Sequence, residues 1–215
     1  MMRVKICGMT RINDVKAALD QGVDALGFVV ATPASPRNLQ IKAAKKLINI
    51  VPVYVSSVAV TANADPKTLQ KICVALRPNA LQMHQHNSKL ISALRKKNPG
   101  MKFIAVTAIR NSQSINEAQG TVKYTDAVLA DSQNKLGLGG SGKVHDWRLT
   151  RKLRDRIHPS PLILAGGLTP NNVEIAMRRV RPYAVDVSTG VELRTCVKDH
   201  YKMMKFIKLV KEFPS

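Results

Sequence analysis

Cysteine is scarce in this chain, with only Cys7, Cys73 and Cys196 among 215 residues. The count is odd, the spacing is wide and no C-x-x-C occurs, which argues against a disulfide framework and a cysteine zinc site. Cys73 falls at helical spacing with Leu69, Ile72 and Leu76 and reads as a small core residue. Long apolar runs are missing too: no stretch approaches the ~18 residues that a spanning helix needs. The opening residues Met1–Cys7 lack the apolar region and cleavage site of a secretory signal, so the expected location is cytoplasmic, with no membrane partner. Aromatics are few, and the four Phe, four Tyr and one Trp do not interleave with basic runs to form a base-stacking platform. Acidic residues are also few, 14 against 34 Lys plus Arg, for a formal net charge of +20. A field of that sign draws anions inward. The basic residues are dispersed, however, over helix ends and polar faces such as Lys42/Lys45/Lys46 and Lys202/Lys205/Lys208/Lys211. They read as a solvated shell, and no specific nucleic acid is expected as a partner.

What is present is an alternation. Short apolar runs at Val4–Cys7, Ala25–Val30, Val53–Val60, Ala80–Met83, Phe103–Thr107, Ala127–Asp131, Leu162–Ala165 and Ala184–Val187 read as strands. Between them lie amphipathic stretches: Val15/Ala18/Leu19 closed by Gly22, Ile41–Ile50, a helix opened by Asp65-Pro66, one through Leu90 and Leu94, Asp146 to Ile157, Val173–Val180, and a last one from Val197 to Val210. Only the connection after the fifth run is weak and polar. Eight strand–helix repeats imply a parallel sheet closed on itself. The expected fold is α/β, a single (βα)8 TIM barrel with a parallel eight-stranded core, spanning 1–215 as one domain.

In such a barrel chemistry sits at the C-terminal ends of the strands. Three glycine-rich stretches fall there: Gly137-Leu138-Gly139-Gly140-Ser141-Gly142 after strand six, Ala165-Gly166-Gly167-Leu168 after strand seven, and Ser188-Thr189-Gly190 after strand eight. Glycine lets backbone N–H groups approach an oxyanion, and a short helix following Thr189-Gly190 would add its positive end. Three such loops on one side of one face point to a phosphate. No G-x-x-x-x-G-K-[ST] occurs, so a P-loop is excluded.

Two acid–base candidates stand at non-adjacent strand ends, Cys7 after strand one and Asp131 after strand six. A positive environment would lower the thiol's pKa and let it abstract a proton from carbon. A carboxyl ending an apolar strand can keep its proton by desolvation and act as an acid. Arg37, fixed by Pro36, could take a carboxylate by two hydrogen bonds. Gln82 and His84 close strand four. His84-x-His86 invites a metal reading, but alternation along an extended segment would point the two rings apart, and no metal is expected.

Several segments together resemble the phosphoribosylanthranilate isomerase family of tryptophan biosynthesis. They are Lys5-Ile6-Cys7-Gly8-Met9-Thr10, Ser35-Pro36-Arg37, Gln82-Met83-His84, Asp131-Ser132, Gly139-Gly140-Ser141-Gly142, Leu164-Ala165-Gly166-Gly167-Leu168 and Asp186-Val187-Ser188-Thr189-Gly190-Val191-Glu192. The resemblance implies an Amadori rearrangement with Asp131 as general acid and Cys7 as general base. It also implies Arg37 on the anthranilate carboxylate and the phosphate on the glycine loops. The substrate-binding set is Arg37, Gln82, His84, Gly140, Ser141, Gly142, Gly166, Gly167, Ser188, Thr189 and Gly190. No metal or organic cofactor is implied, and the expected partner is a small phosphorylated substrate, with the protein a monomer or homodimer. The sequence departs from the family pattern at Gln85, usually Gly, at Thr189, usually Ser, and at Cys196, usually Gly. Two alternatives stay open: an isomerase of another ribotide on the same barrel, and a catalytically silent barrel that binds nucleic acid through its basic surface. The related isomerase of histidine biosynthesis is expected to place aspartates at the ends of strands one and five, where this chain has Cys7 and Val106-Thr107.

Overall fold

The computed structural model describes residues 2–132 and 144–214. The apolar runs become strands β1 (Arg3–Ile6), β2 (Ala25–Val29), β3 (Ser56–Thr61), β4 (Ala80–Met83), β5 (Lys102–Ala108), β6 (Ala127–Asp131), β7 (Leu162–Leu164) and β8 (Ala184–Val187). All neighbours pair in parallel, and β1 pairs with both β2 and β8, which closes the barrel. Helices α1 (Ile12–Asp20), α2 (Ile41–Ile48), α3 (Pro66–Leu76), α4 (Ser88–Lys97), α5 (Ser112–Thr121), α6 (Trp147–Ile157), α7 (Val173–Val180) and α8 (His200–Lys211) follow the strands in turn. The expected (βα)8 barrel is the observed fold.

Strand alternation divides the core in two. Val29, Val58, Val60, Ile104, Val106, Leu129 and Ile163 fill the barrel interior. Val4, Ile6, Leu26, Phe28, Leu81 and Phe103 face outward against helix residues such as Ile72, Leu153 and Phe206. Every fully buried side chain of that size contributes about 1.5–3 kcal/mol relative to exposure, and the two layers hold the strand ends rigidly in register.

Local chemistry sets the helix starts. The Asp65 side chain accepts from the backbone N–H groups of Lys67 and Thr68, with Pro66 in the first turn, and Asp146 accepts from that of Arg148. The polar connection after β5 is a ten-residue helix, α5, which buries Ile115 and Ala118 and takes Asn111 as its cap.

Three expectations are corrected. The third strand begins at Ser56 rather than Val53, because Pro52 to Val55 form a turn that leaves Val53 and Tyr54 exposed. The last helix begins at His200 rather than Val197: Val197–Lys198 instead form β10, antiparallel to β9 (Glu192–Arg194), and Asp199 caps α8. The short helix expected after Gly190 is a single 3-10 turn over Thr189–Val191, too short to carry a useful dipole.

Candidate active site

β1, β2, β4, β6 and β8 deliver Cys7, Arg37, Gln82 with His84, Asp131 and Ser188 to one cavity of about 90 Å3 at the C-terminal end of the barrel. A wider cavity of about 540 Å3 opens beside it, over the ends of β4 to β6, and shares His84 and Asp131 with the first. Cys7, Arg37, Gln82, His84, Asp131 and Ser188 are thus brought together from five separate stretches of sequence. Gly140, Ser141 and Gly142 lie outside the described residues.

The loops after β7 and β8 touch. Gly166 and Gly167 both adopt positive φ, +85° and +65°, which bends the chain sharply at the strand end. Gly190 sits so close to Leu168 that a Cβ there would collide with the Leu168 carbonyl oxygen. Asn172 braces the first loop, donating to the Gly167 carbonyl and accepting from the Thr169 N–H.

Asp131 is partly buried, and one of its oxygens, Oδ1, is wholly buried with no hydrogen-bond partner among the described residues. Burial, and then the nearby charge of Asp186, push its pKa up to about 7. The Cys7 thiol, 8% exposed, is pushed above its ordinary range: burial outweighs the cations Lys5 and Lys198. The positive groups act in the lowering direction expected of them, but they reduce the burial effect without reversing it. The His84 ring is held neutral, its pKa pushed down to about 4 by burial and then by Lys5 and His86. The two rings of His84 and His86 also line the same wide cavity, since β4 ends at Met83 and strand alternation no longer applies beyond it. No group of three His, Cys, Asp or Glu side chains suited to a metal ion occurs among the described residues.

The Arg37 guanidinium has the two-point hydrogen bonding expected of it, but toward Glu192. Nε lies 2.8 Å from Oε1 and Nη2 2.5 Å from Oε2. Its aliphatic stem runs over Gly8, where a Cβ would lie 2.5 Å from Cδ. The hairpin of β9 and β10 holds this loop at a second point, since Cys196 Sγ donates to the Pro36 carbonyl.

Four charged residues of the site escaped sequence reasoning. Lys5 and Asp186 form a buried ion pair at 2.8 Å. Glu192 accepts from both Arg37 and Lys198. Lys198 Nζ also donates to the carbonyls of Cys7 and Ser188, tying the end of β1 to the loop after β8. Alternation from Cys7 could have placed Lys5 inside the barrel; nothing in the sequence pairs Glu192 with Arg37.

The family model for N-(5'-phosphoribosyl)anthranilate (PRA) isomerase matches residues 4–209. The chain is 40% identical to the N-(5'-phosphoribosyl)anthranilate isomerase of Methanothrix thermoacetophila over 212 residues, 98% of this chain and 99% of that one. It superposes on the solved phosphoribosyl anthranilate isomerase of Thermotoga maritima with a TM-score of 0.88 and 34% identity, covering 98% and 99% of the two chains. A phosphoribosyl anthranilate isomerase solved in complex with reduced 1-(o-carboxyphenylamino)-1-deoxyribulose 5-phosphate gives a TM-score of 0.85 and 32% identity, over 98% and 99%.

Proposed function

The chain belongs to the N-(5'-phosphoribosyl)anthranilate isomerase family, and we propose that it performs that isomerisation with Cys7 as general base and Asp131 as general acid. The observation that carries the assignment is that Cys7 and Asp131 line one small cavity together with Arg37, Gln82, His84 and Ser188. In this reading the whole chain is one catalytic domain.

Asp131, protonated near neutrality because it is buried, gives its proton to the ribose ring oxygen. The C1–O bond breaks while the anthranilate nitrogen supplies the electron pair of a C1=N bond, leaving an open-chain Schiff base. Cys7, as thiolate, takes the proton from C2. The C2–H pair becomes a C1=C2 bond, and the C=N pair returns to nitrogen. The resulting enol loses its O2 proton and gains one at C1, giving 1-(o-carboxyphenylamino)-1-deoxyribulose 5-phosphate, an isomer of the substrate. Every step is a proton transfer or a bond shift, so neither redox cofactor nor metal is required.

The backbone N–H groups around Gly166, Gly167, Ser188, Thr189 and Gly190 suit the phosphate, and Gly140, Ser141 and Gly142, outside the described residues, are proposed to bind it too. Arg37, clamped through Nε and Nη2, still has Nη1 for the anthranilate carboxylate. The buried Gln82 Oε1 has no partner among the described residues and suits a sugar hydroxyl. His84, neutral, can donate or accept beside it.

The test is the fluorescence decay of freshly prepared phosphoribosylanthranilate with wild type, Cys7→Ser and Asp131→Asn. Wild type consumes it, and each folded variant loses about 10²-fold or more of the rate. Retention of wild-type turnover by either variant would remove that residue from its role.

A further inference from the structure

One buried charged pair at the barrel mouth has no task in these steps. Lys5, on β1, precedes Cys7 by two residues, and the pairing with β8 runs on to Cys7, whose N–H donates to the Val187 carbonyl, so both side chains enter the barrel interior. Asp186 stands opposite Lys5 in the register of β1 and β8, with Lys5 Nζ 2.8 Å from its Oδ1. Gly27, on β2, seats the other side. A Cβ there would lie 2.8 Å from Cys7 Sγ and 3.2 Å from Lys5 Cε. The bare backbone of β2 therefore lets the thiol and the lysine stem pack side by side.

A lysine 3% exposed inside a barrel needs compensation to stay charged. Burial pushes Lys5 toward its neutral form, but Asp186 and then the Cys7 thiol outweigh it, and the ammonium persists. Other charges face Cys7 as well. Lys198 approaches the Cys7 backbone from β10, but it is shared among two carbonyls and Glu192. Arg37 is forked onto Glu192. Asp131 and His84 face Cys7 across the cavity, the first adding negative charge when ionised, the second neutral. Lys5 is the cation whose charge is answered by only one carboxylate and whose stem lies against the same surface as the sulfur.

We infer that Lys5 is a positioning residue for Cys7: its ammonium, anchored by Asp186 and seated beside the thiol on Gly27, favours the thiolate that proton abstraction needs, against the burial that opposes it. Asp186 acts in the opposite sense, damping the charge that reaches the sulfur. The inference rests on the reading of Cys7 as the base, but its test does not require the substrate.

Iodoacetamide labelling of the Cys7 peptide, followed by mass spectrometry across pH, reads the thiolate fraction directly. Lys5→Met moves the midpoint up by about one pH unit or more, and Asp186→Asn moves it down. Turnover at neutral pH falls about tenfold in Lys5→Met through kcat, with KM little changed. If Lys5→Met fails to fold around an unpaired Asp186, Lys5→Met/Asp186→Asn is compared with Asp186→Asn alone, and the double variant has the higher midpoint. An unchanged midpoint in folded Lys5→Met, or equal midpoints in that second comparison, overturns the inference. If the midpoints move as stated while Cys7→Ser keeps full turnover, the base assignment fails and the role of Lys5 toward the thiol stands.

Discussion

The carboxylate of Glu192 lies against the guanidinium of Arg37 through two hydrogen bonds, Nε to Oε1 at 2.8 Å and Nη2 to Oε2 at 2.5 Å. The pair joins the loop after β2 to the start of β9, 155 residues apart in sequence, and is mostly buried, the side chains 14% and 6% exposed. Glu192 also accepts from the buried Lys198. Burial alone would push this carboxyl up, but Arg37 and Lys198 hold it below its ordinary range. Glu192→Ala leaves two cations without their shared counter-charge. The expected loss is about 3 kcal/mol of stability, together with a higher KM as Arg37 loses its orientation. Urea unfolding and steady-state kinetics on one preparation check both, and a variant with wild-type stability and KM would show that the clamp does neither.

Asp131 sets a conflict between stability and activity. Its carboxyl has a folded pKa of about 7 against an unfolded value of about 3.9. Below about 3.9 both states hold the proton and the group is neutral to stability. As pH rises toward 7 the unfolded chain releases its proton first, so folding is progressively disfavoured, and the penalty is complete above about 7. Its size is on the order of a few kcal/mol. Asp131→Asn removes the ionisable group. It is expected to be more stable than wild type at pH 8, with the difference shrinking toward pH 4, while activity is lost at both. Denaturation curves at the two pH values decide it; a stability difference independent of pH would contradict the buried-acid account.

The same two groups shape the pH–rate profile. The productive form needs Cys7 ionised and Asp131 protonated, yet the thiol lies above its ordinary range and the carboxyl at about 7. The form that reacts is therefore a minority at every pH, and kcat/KM rises to a limb near 7, runs flat, and falls again at the thiol's alkaline limb. The acidic limb belongs to Asp131 even though it acts as the acid. A profile of kcat/KM from pH 5 to 10 checks this. Activity that falls steadily from pH 6 upward would mean that the thiol titrates below the carboxyl.

The barrel was legible in the sequence because its periodicity is local. Val4, Ile6, Phe28 and Leu81 alternate with interior residues, and Asp65-Pro66 and Asp146 announce helix starts through bonds within one turn. Failures came where a partner distant in sequence decides. Val53 to Val55 have strand propensity but no strand beside them, and the turn at Pro52 wins. Val197–Lys198 look helical until Glu192–Arg194 returns to pair with them. Alternation from Cys7 points Lys5 into the barrel, but its partner stays hidden until the closure of β8 on β1 brings Asp186 to its side. Cys7, Asp131 and Arg37 could be picked out by their places at strand ends, but the pairing of the charges that tune them could not.

The loops after β7 and β8 offer a test of the phosphate cradle that leaves the acid and base untouched. Gly190 packs so closely on the Leu168 carbonyl that no side chain fits, and its neighbours Thr189 and Val191 complete the 3-10 turn beside it. A methyl at this point must push the two loops apart and turn their N–H groups away from a common anion. Gly190→Ala is therefore expected to raise KM about tenfold or more. It should weaken inhibition by a phosphate-bearing product analogue by a similar factor, equivalent to about 1.4 kcal/mol of lost binding. The alkylation midpoint of Cys7 should change little, because Lys5 and Asp186 lie on β1 and β8 and not in the displaced loops. Unchanged KM and inhibition would place the phosphate elsewhere at the mouth. A fall in kcat alone would mean that the two loops order the chemistry and not the anion.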